Sequence, residues 1–243
     1  MFLSMAFEMI EFFIILTVFV TIVLGAFLYK KYVVIPYKNN VIKKYLLEIN
    51  PNIKYYYEDK NEDFKSLSKR YNFIKSATSF YVSDIIVDDE IKSFDLHATH
   101  TQSNGKTSTT ITDFKGRFYD VSIDQKYLCN FILKEEYWNK APEGFTPLDL
   151  ELTIFNKKFN LYVTDTLEAY HYFTPYTIKR LVELEEANDG ELIFAYIDGH
   201  LYFGLNNGAD FFEKSKTKEE VKAEYITQRN GVLKFKELIE KNS

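Results

Sequence analysis

FFIILTVFVTIVLGAFLY, residues Phe12 to Tyr29, contains no charged side chain; it begins after Glu11 and stops against Lys30-Lys31. Wound as an α-helix it covers roughly 27 Å, close to the roughly 30 Å hydrocarbon core of a bilayer. Thirteen of its positions are Leu, Ile, Val or Phe, each favouring insertion by roughly 0.3–0.6 kcal/mol near the centre of a span. Apart from Thr17, Thr21 and Gly25 the run is apolar all round, so it lacks the polar face of a helix on a soluble domain. Those three positions fall four apart and share one stripe, either a helix–helix contact of small residues or threonines bonding back to their own helix. The first eleven residues carry Glu8 and Glu11 and no Lys or Arg, and Gly25-Ala26 is followed by bulky Phe27, Leu28 and Tyr29. A cleaved signal peptide needs a basic start and small residues at its cleavage site. The stretch therefore reads as an uncleaved transmembrane anchor.

Charge sets the expected orientation. Lys30, Lys31, Lys38, Lys43 and Lys44 all precede the next acid, Glu48. By the positive-inside rule, residues 1–11 form an extracytoplasmic tail, and the chain beyond the span is cytoplasmic at the plasma membrane. The same five lysines are expected to meet anionic headgroups, at about 1 kcal/mol for each one near the surface. The formal net charge of −5 disfavours nucleic acid, which demands clustered cations across a face. The single Cys129 rules out an internal disulfide framework and any zinc site built on paired cysteines.

After the span, Pro36 is expected to end or kink the helix. Val41, Ile42, Tyr45, Leu46 and Ile49 recur at helical spacing until Asn50-Pro51. A second helix is expected from Asp63 to Lys75, with Phe64, Leu67, Tyr71 and Ile74 on one side, after an exposed EDKNED loop. Residues 30–75 thus read as a basic juxtamembrane helical segment, and 76–243 as the main domain.

From Ala77 the period changes to that of strands. SFYVSDIIV at 79–87 reads as a strand and Asp88-Asp89-Glu90 as a turn. Asn104-Gly105 is a strong signal for a two-residue hairpin loop. That loop places Phe94, Leu96, Ala98, Ile111 and Asp113 on one face, and Asp95, His97, Thr99, Thr101, Ser108, Thr110 and Thr112 on the other, a hydroxyl ladder. RFYDVSI, KYLCNFIL, LDLELTIF and FNLYV, starting at 117, 126, 148 and 159, read as strands. Asp165 with Glu168 makes a capping box, and Thr174-Pro175 an N-cap followed by proline at the first helical position. A second hairpin turns at Asp198-Gly199, with Leu192, Phe194, Tyr196, Leu201, Phe203 and Leu205 on its core face. The charged segment from Lys218 to Asn242 reads as helices broken near Asn230-Gly231. The fold class is α+β, with a transmembrane helix followed by a largely antiparallel sheet and packed helices.

This order of elements resembles a family of bacterial membrane proteins, with one or two spans, known as a domain of unknown function. The resemblance rests on SFYVSDIIVDDEIKSFDL, ITDFKGRFYDV, FNKKFNLYVTDTLEAYHYFTPYTIKRLVEL and LIFAYIDGHLYFGL, and covers roughly residues 40–215. Matching positions include Asp84, Phe114, Gly116, Phe155, Phe159, Asp165, Ala169, Thr174, Pro175 and Leu181. It implies no established activity, cofactor or catalytic residue.

The residues themselves yield no catalytic, cofactor or metal set either. Gly105-Lys106-Thr107 imitates the end of a phosphate-binding loop, but the required earlier glycine is His100. His97 and His100 are an odd offset apart on a strand and face opposite ways, so they do not share a metal. His171 and His200 each stand alone. The adjacent acids Asp88-Asp89-Glu90, Glu135-Glu136 and Glu185-Glu186 read as solvated turns or faces. The function expected is therefore a membrane-anchored cytoplasmic interaction module with a protein partner. The alternative is a membrane-surface hydrolase or lipid-handling enzyme using polar groups such as His97 and Asp95.

Overall fold

A computed structural model describes residues 2–58, 62–71, 73–74, 77–123, 129–135, 141–187, 189–212 and 216–240. Part of the expected EDKNED loop, Lys126–Leu128 of an expected strand and the expected helix ends at Lys75 and Asn242 lie outside them. The chain is α+β. Nine strands form one sheet: β1 (Lys54–Glu58), β2 (Ser79–Asp88), β3 (Ile91–Ser103), β4 (Ser108–Ser122), β5 (Phe131–Lys134), β6 (Thr146–Leu148), β7 (Asn160–Val163), β8 (Glu191–Ile197) and β9 (His200–Asn206). Their order is β1-β2-β3-β4-β9-β8-β5-β7-β6, and every pairing is antiparallel.

The apolar run lies in α1 (Phe2–Tyr29), which continues without a break to Leu47. Pro36 does not end it. Proline removes one N–H donor from the ladder, and the helix widens around it into π turns at Lys30–Val34 and Tyr37–Ile42, where Ile35 N–H donates to Lys30 O and Lys43 N–H to Lys38 O. Spacing of five residues lets the ladder step past the missing donor. The helix ends as α2 (Lys43–Leu47), and Asn50-Pro51 turns the chain into β1. Tyr55 to Tyr57 lie in that edge strand, so the segment expected to be wholly helical enters the sheet. The helix α3 (Glu62–Tyr71) then packs Phe64 edge-on against Phe94 and Phe118, with ring centroids 4.9 and 4.6 Å apart.

Strand alternation divides the core. One sheet face, including Tyr119, Phe194, Leu201 and Leu161, lies beneath α4 (Thr153–Lys158), α5 (Thr166–Tyr172), α6 (Pro175–Glu186) and α7 (Lys218–Glu240). The other, including Phe118, Ile193 and Tyr202, lies beneath Phe64 and Phe73. The expected caps are formed: Asp165 Oδ1 accepts from Leu167 N–H and Glu168 N–H, and Thr174 Oγ1 from Thr177 N–H. The Asp198-Gly199 hairpin has its expected register, Leu192 opposite Leu205 and Phe194 opposite Phe203.

Three expectations are corrected. The Asn104-Gly105 turn is a four-residue loop, with Ser103 opposite Ser108, because Asn104 Oδ1 accepts from both Lys106 N–H and Thr107 N–H and so draws those residues into the turn. LDLELTIF is not a strand. Its end winds into α4, where Asn156 brackets the Leu150 backbone at 3.1 and 2.6 Å and Phe155 enters the core. The carboxy-terminal segment is one helix through Asn230-Gly231. An interior glycine costs a helix about 1 kcal/mol, and burial of Val221, Tyr225, Val232, Phe235 and Ile239 on both sides of it outweighs that cost. A methyl group on Gly231 meets nothing within 4 Å. Gly231→Ala is therefore expected to stabilise the protein by about 1 kcal/mol, read as a rise in thermal midpoint; an unchanged or lower midpoint contradicts this account of α7.

Candidate functional site

The most concentrated chemistry lies where Lys38, in the second half of the long helix, meets Asp84 of β2 beside Asp95 of β3 and Arg117 of β4. A bulge in β2 between Ser83 and Ile86 holds Asp84 at φ +49°, a left-handed conformation that Asp tolerates better than most residues. There Asp84 is buried. Its Oδ2 accepts from Lys38 Nζ at 2.8 Å, its Oδ1 accepts from the Tyr55 hydroxyl, and its carbonyl oxygen accepts from Arg117 Nη1 at 2.8 Å. Asp95 and Arg117 face each other across β3 and β4, with Nη1 donating to Asp95 Oδ1 at 2.9 Å. Arg117 Nη2 donates to Ser93 Oγ at 2.8 Å, and Asp95 Oδ2 accepts from Phe211 N–H at 3.0 Å. The Arg117 guanidinium lies over the Phe211 ring, 4.7 Å from its centroid, and 5.7 Å from that of Phe212.

Burial dominates the electrostatics. It pushes the Asp95 carboxyl up to about 6, with the Asp84 charge adding to the shift and Arg117 opposing it. Burial also raises Asp84 despite the opposing Lys38 ammonium. Oxygens of Asp84, Asp95 and Asp210 lie within 4.8 Å of one another, but Lys38 is 2.8 Å from Asp84 and 3.6 Å from Asp210, and Arg117 holds Asp95. The chain's own cations thus neutralise most of this charge. The arrangement is a fastening between the long helix and the sheet.

A second network fastens α7. Asp88 was expected in a solvated turn but is buried, accepting from Asn50 Nδ2, Tyr225 OH and Arg229 Nε at 2.7, 2.5 and 2.6 Å. Burial disfavours its charge, yet these donors outweigh burial and hold the carboxyl below its ordinary range. Asp89 and Glu90 are exposed, as a turn requires. Glu135 Oε1 accepts from Leu192 N–H, and Glu185 pairs with Lys158.

The histidines do not converge. His97 Nε2 meets Thr112 Oγ1 at 3.1 Å, while His100 Nδ1 meets Asp113 at 2.8 Å on the opposite face, where Asp113 is the extra residue of a bulge in β4. Asp113 also lines a cavity of about 20 Å³ with Lys134, Glu191 and Asn206, room for about one water and not for a substrate. His200 Nδ1 bonds Asp120 at 2.7 Å, lies near Asp198 and stacks on Tyr202. The Asp120 hydrogen bond raises the imidazole above its ordinary 6.5, with partial burial opposing. This contribution is complete below the unfolded-state value and is lost as pH rises through the folded one. His200→Gln is accordingly expected to flatten a stability difference of less than about 1 kcal/mol, exposure discounted, between mildly acidic and alkaline pH. Identical pH curves for the two proteins in chemical denaturation would remove that assignment.

Among the described residues one helix, Phe12–Leu47, is long and apolar enough to cross a membrane, and the buried Lys38–Asp84 ion pair joins it to the nine-stranded antiparallel sheet of an α+β fold. Residues 100–241, more than half of the chain, match the family described as "Protein of unknown function (DUF3137)", and the protein belongs to it. The match begins later than the resemblance drawn from the sequence and extends through α7. The crystal structure of the mycobacterial trehalose monomycolate transport factor A, TtfA, is similar at 9% identity and TM-score 0.49, over 83% of this chain and 94% of that one. No curated protein matches.

Proposed function

We propose that this protein is a single-pass plasma-membrane protein whose folded part serves as a cytoplasmic interaction module. In this reading residues 1–11 lie outside, 12–29 span the bilayer, and 30–75 and 76–243 lie inside. The observation that carries it is the unbroken helix from Phe12 to Leu47: its first half exposes Phe, Ile, Val and Leu to the surroundings, and its second half is pinned to the sheet through Lys38 and Asp84. Exposed apolar surface on this scale marks a face that lipid or another protein covers, and a run apolar all round suits lipid.

The lysine collar is narrower than charge alone implies. Lys38 is buried and committed to Asp84, and Lys43 and Lys44 lie roughly 20 Å along the helix from Lys30. Lys30, which also pairs with Glu58 at 2.6 Å, and the exposed Lys31 remain to meet anionic headgroups. A reporter fused after Ser243 is expected to be active only in its cytoplasmic form; activity confined to the extracytoplasmic form overturns the orientation. In-cell crosslinking with mass spectrometry is expected to recover a reproducible protein partner, and repeated recovery of none counts against an interaction module.

A further inference from the structure

Beyond Thr99, β3 leaves β2, and before Gly116, β4 leaves β9, so residues 100–111 form a two-stranded arm paired only with itself. Every residue from Thr101 to Thr112 is exposed, and Lys106 is the one charged side chain among them. The loop at the tip holds Asn104-Gly105, one of three Asn-Gly pairs in the chain with Asn207-Gly208 and Asn230-Gly231. Such a pair is open to attack by the backbone on the side-chain amide, because glycine has no Cβ to obstruct its own nitrogen.

The three pairs sit in different surroundings. Gly208 N–H donates to the Lys115 carbonyl at 2.8 Å, and Gly231 lies inside α7, where the helical ladder holds the backbone. Gly105 has φ +84°, open space where a methyl group would stand, and an N–H that donates only to Ser103 Oγ, at 3.3 Å, among the described residues. Its nitrogen is the least committed of the three. The carbonyl it would attack is also the best prepared. Asn104 Oδ1 accepts from Lys106 N–H at 3.1 Å, Thr107 N–H at 2.8 Å and the Thr107 hydroxyl at 3.1 Å, whereas Asn207 Oδ1 accepts from Ala209 N–H at 3.1 Å. Donors gathered on a carbonyl oxygen stabilise the negative charge that a nucleophile places there. The hydrogen bonds that shape the loop therefore activate Asn104 Cγ.

We propose that Asn104 is a site of spontaneous covalent modification, at which the folded loop promotes conversion of the side-chain amide to a carboxylate. The Gly105 nitrogen gives up its proton, attacks Asn104 Cγ and forms a new C–N bond. The tetrahedral carbon then breaks its bond to Nδ2, which takes up a proton and leaves as ammonia. Water opens the resulting five-membered imide at either carbonyl, so that one water is consumed for each ammonia released. One opening leaves an aspartate in the original backbone; the other leaves an isoaspartate, with the chain running through the former side-chain carbon. Either product places a negative charge close to Lys106 and takes residues 101–112 from net positive to neutral. The charge of the arm thus changes with the age of the chain, whether or not α1 spans a bilayer.

The test incubates the full chain in detergent micelles at mildly alkaline pH and reads each Asn-Gly pair separately by proteolysis and peptide mass spectrometry. Conversion several-fold faster at Asn104 than at Asn207 or Asn230 is expected in the folded chain, and the three rates are expected to converge in urea as Asn104 slows. Thr107→Val keeps the backbone donor and removes the hydroxyl. It is expected to slow conversion at Asn104 several-fold and to leave Asn207 and Asn230 unchanged. An Asn104 rate no greater than the other two in the folded chain, one that rises on unfolding, or one unaffected by Thr107→Val overturns the proposal.

Discussion

Arg117→Ala is expected to destabilise the folded protein by about 3–5 kcal/mol, the usual cost of removing one partner from a buried ion pair. The loss leaves Asp95 buried with only the Phe211 N–H, and removes the donors to Ser93 Oγ and the Asp84 carbonyl. The neutral replacement Arg117→Met with Asp95→Leu is expected to recover much of that loss, because two charges are then removed together. Urea unfolding of the two variants reads this directly; a single variant as stable as the parent would show that the pair contributes nothing. The sign of the pH dependence is also fixed. Asp95 titrates near 6 when folded and near the ordinary carboxylate value when unfolded. Between those values the folded chain holds a proton that the unfolded chain has lost, so this group's contribution to stability falls as pH rises.

The second large effect concerns the anchor. Val20→Arg with Leu24→Arg places two charges near the middle of the apolar run, at about 2.5–3.5 kcal/mol each. Their sum, about 5–7 kcal/mol, is comparable with the entire insertion preference of the thirteen Leu, Ile, Val and Phe positions. The protein is expected to leave the carbonate-resistant membrane fraction. Full retention there would mean that something other than this helix holds it.

Local signals carried most of the architecture. Asp165, Thr174-Pro175 and Asp198-Gly199 announce their caps and turn through chemistry confined to a few residues, and the structure agrees at each. The errors arose where distant contacts decide. Nothing near Gly231 says that α7 continues, since the packing that outweighs its cost comes from the sheet. Pro36 is a breaker by local rules, and only the π turns around it preserve the helix.

The buried cluster was harder to read. Lys38 resembles its neighbouring lysines in sequence, and its commitment to Asp84 depends on a bulge 46 residues away. One signal was present. Arg117 stands on the same face of β4 as Tyr119 and Val121, and a cation among apolar positions calls for a carboxylate across the strand, which Asp95 supplies. The hydroxyl ladder, by contrast, was legible as a face.

With α1 in a bilayer, continuity from Phe12 to Leu47 makes the anchor a lever rather than a leash. A flexible linker would let the sheet tumble beneath the membrane, whereas a helix clamped by Lys38 and Asp84 passes on the motion of its span. A change in tilt of about 20°, within the range such helices adopt, sweeps the Leu47 end through roughly 9 Å. Bilayer thickness then becomes a mechanical input to the position of the sheet.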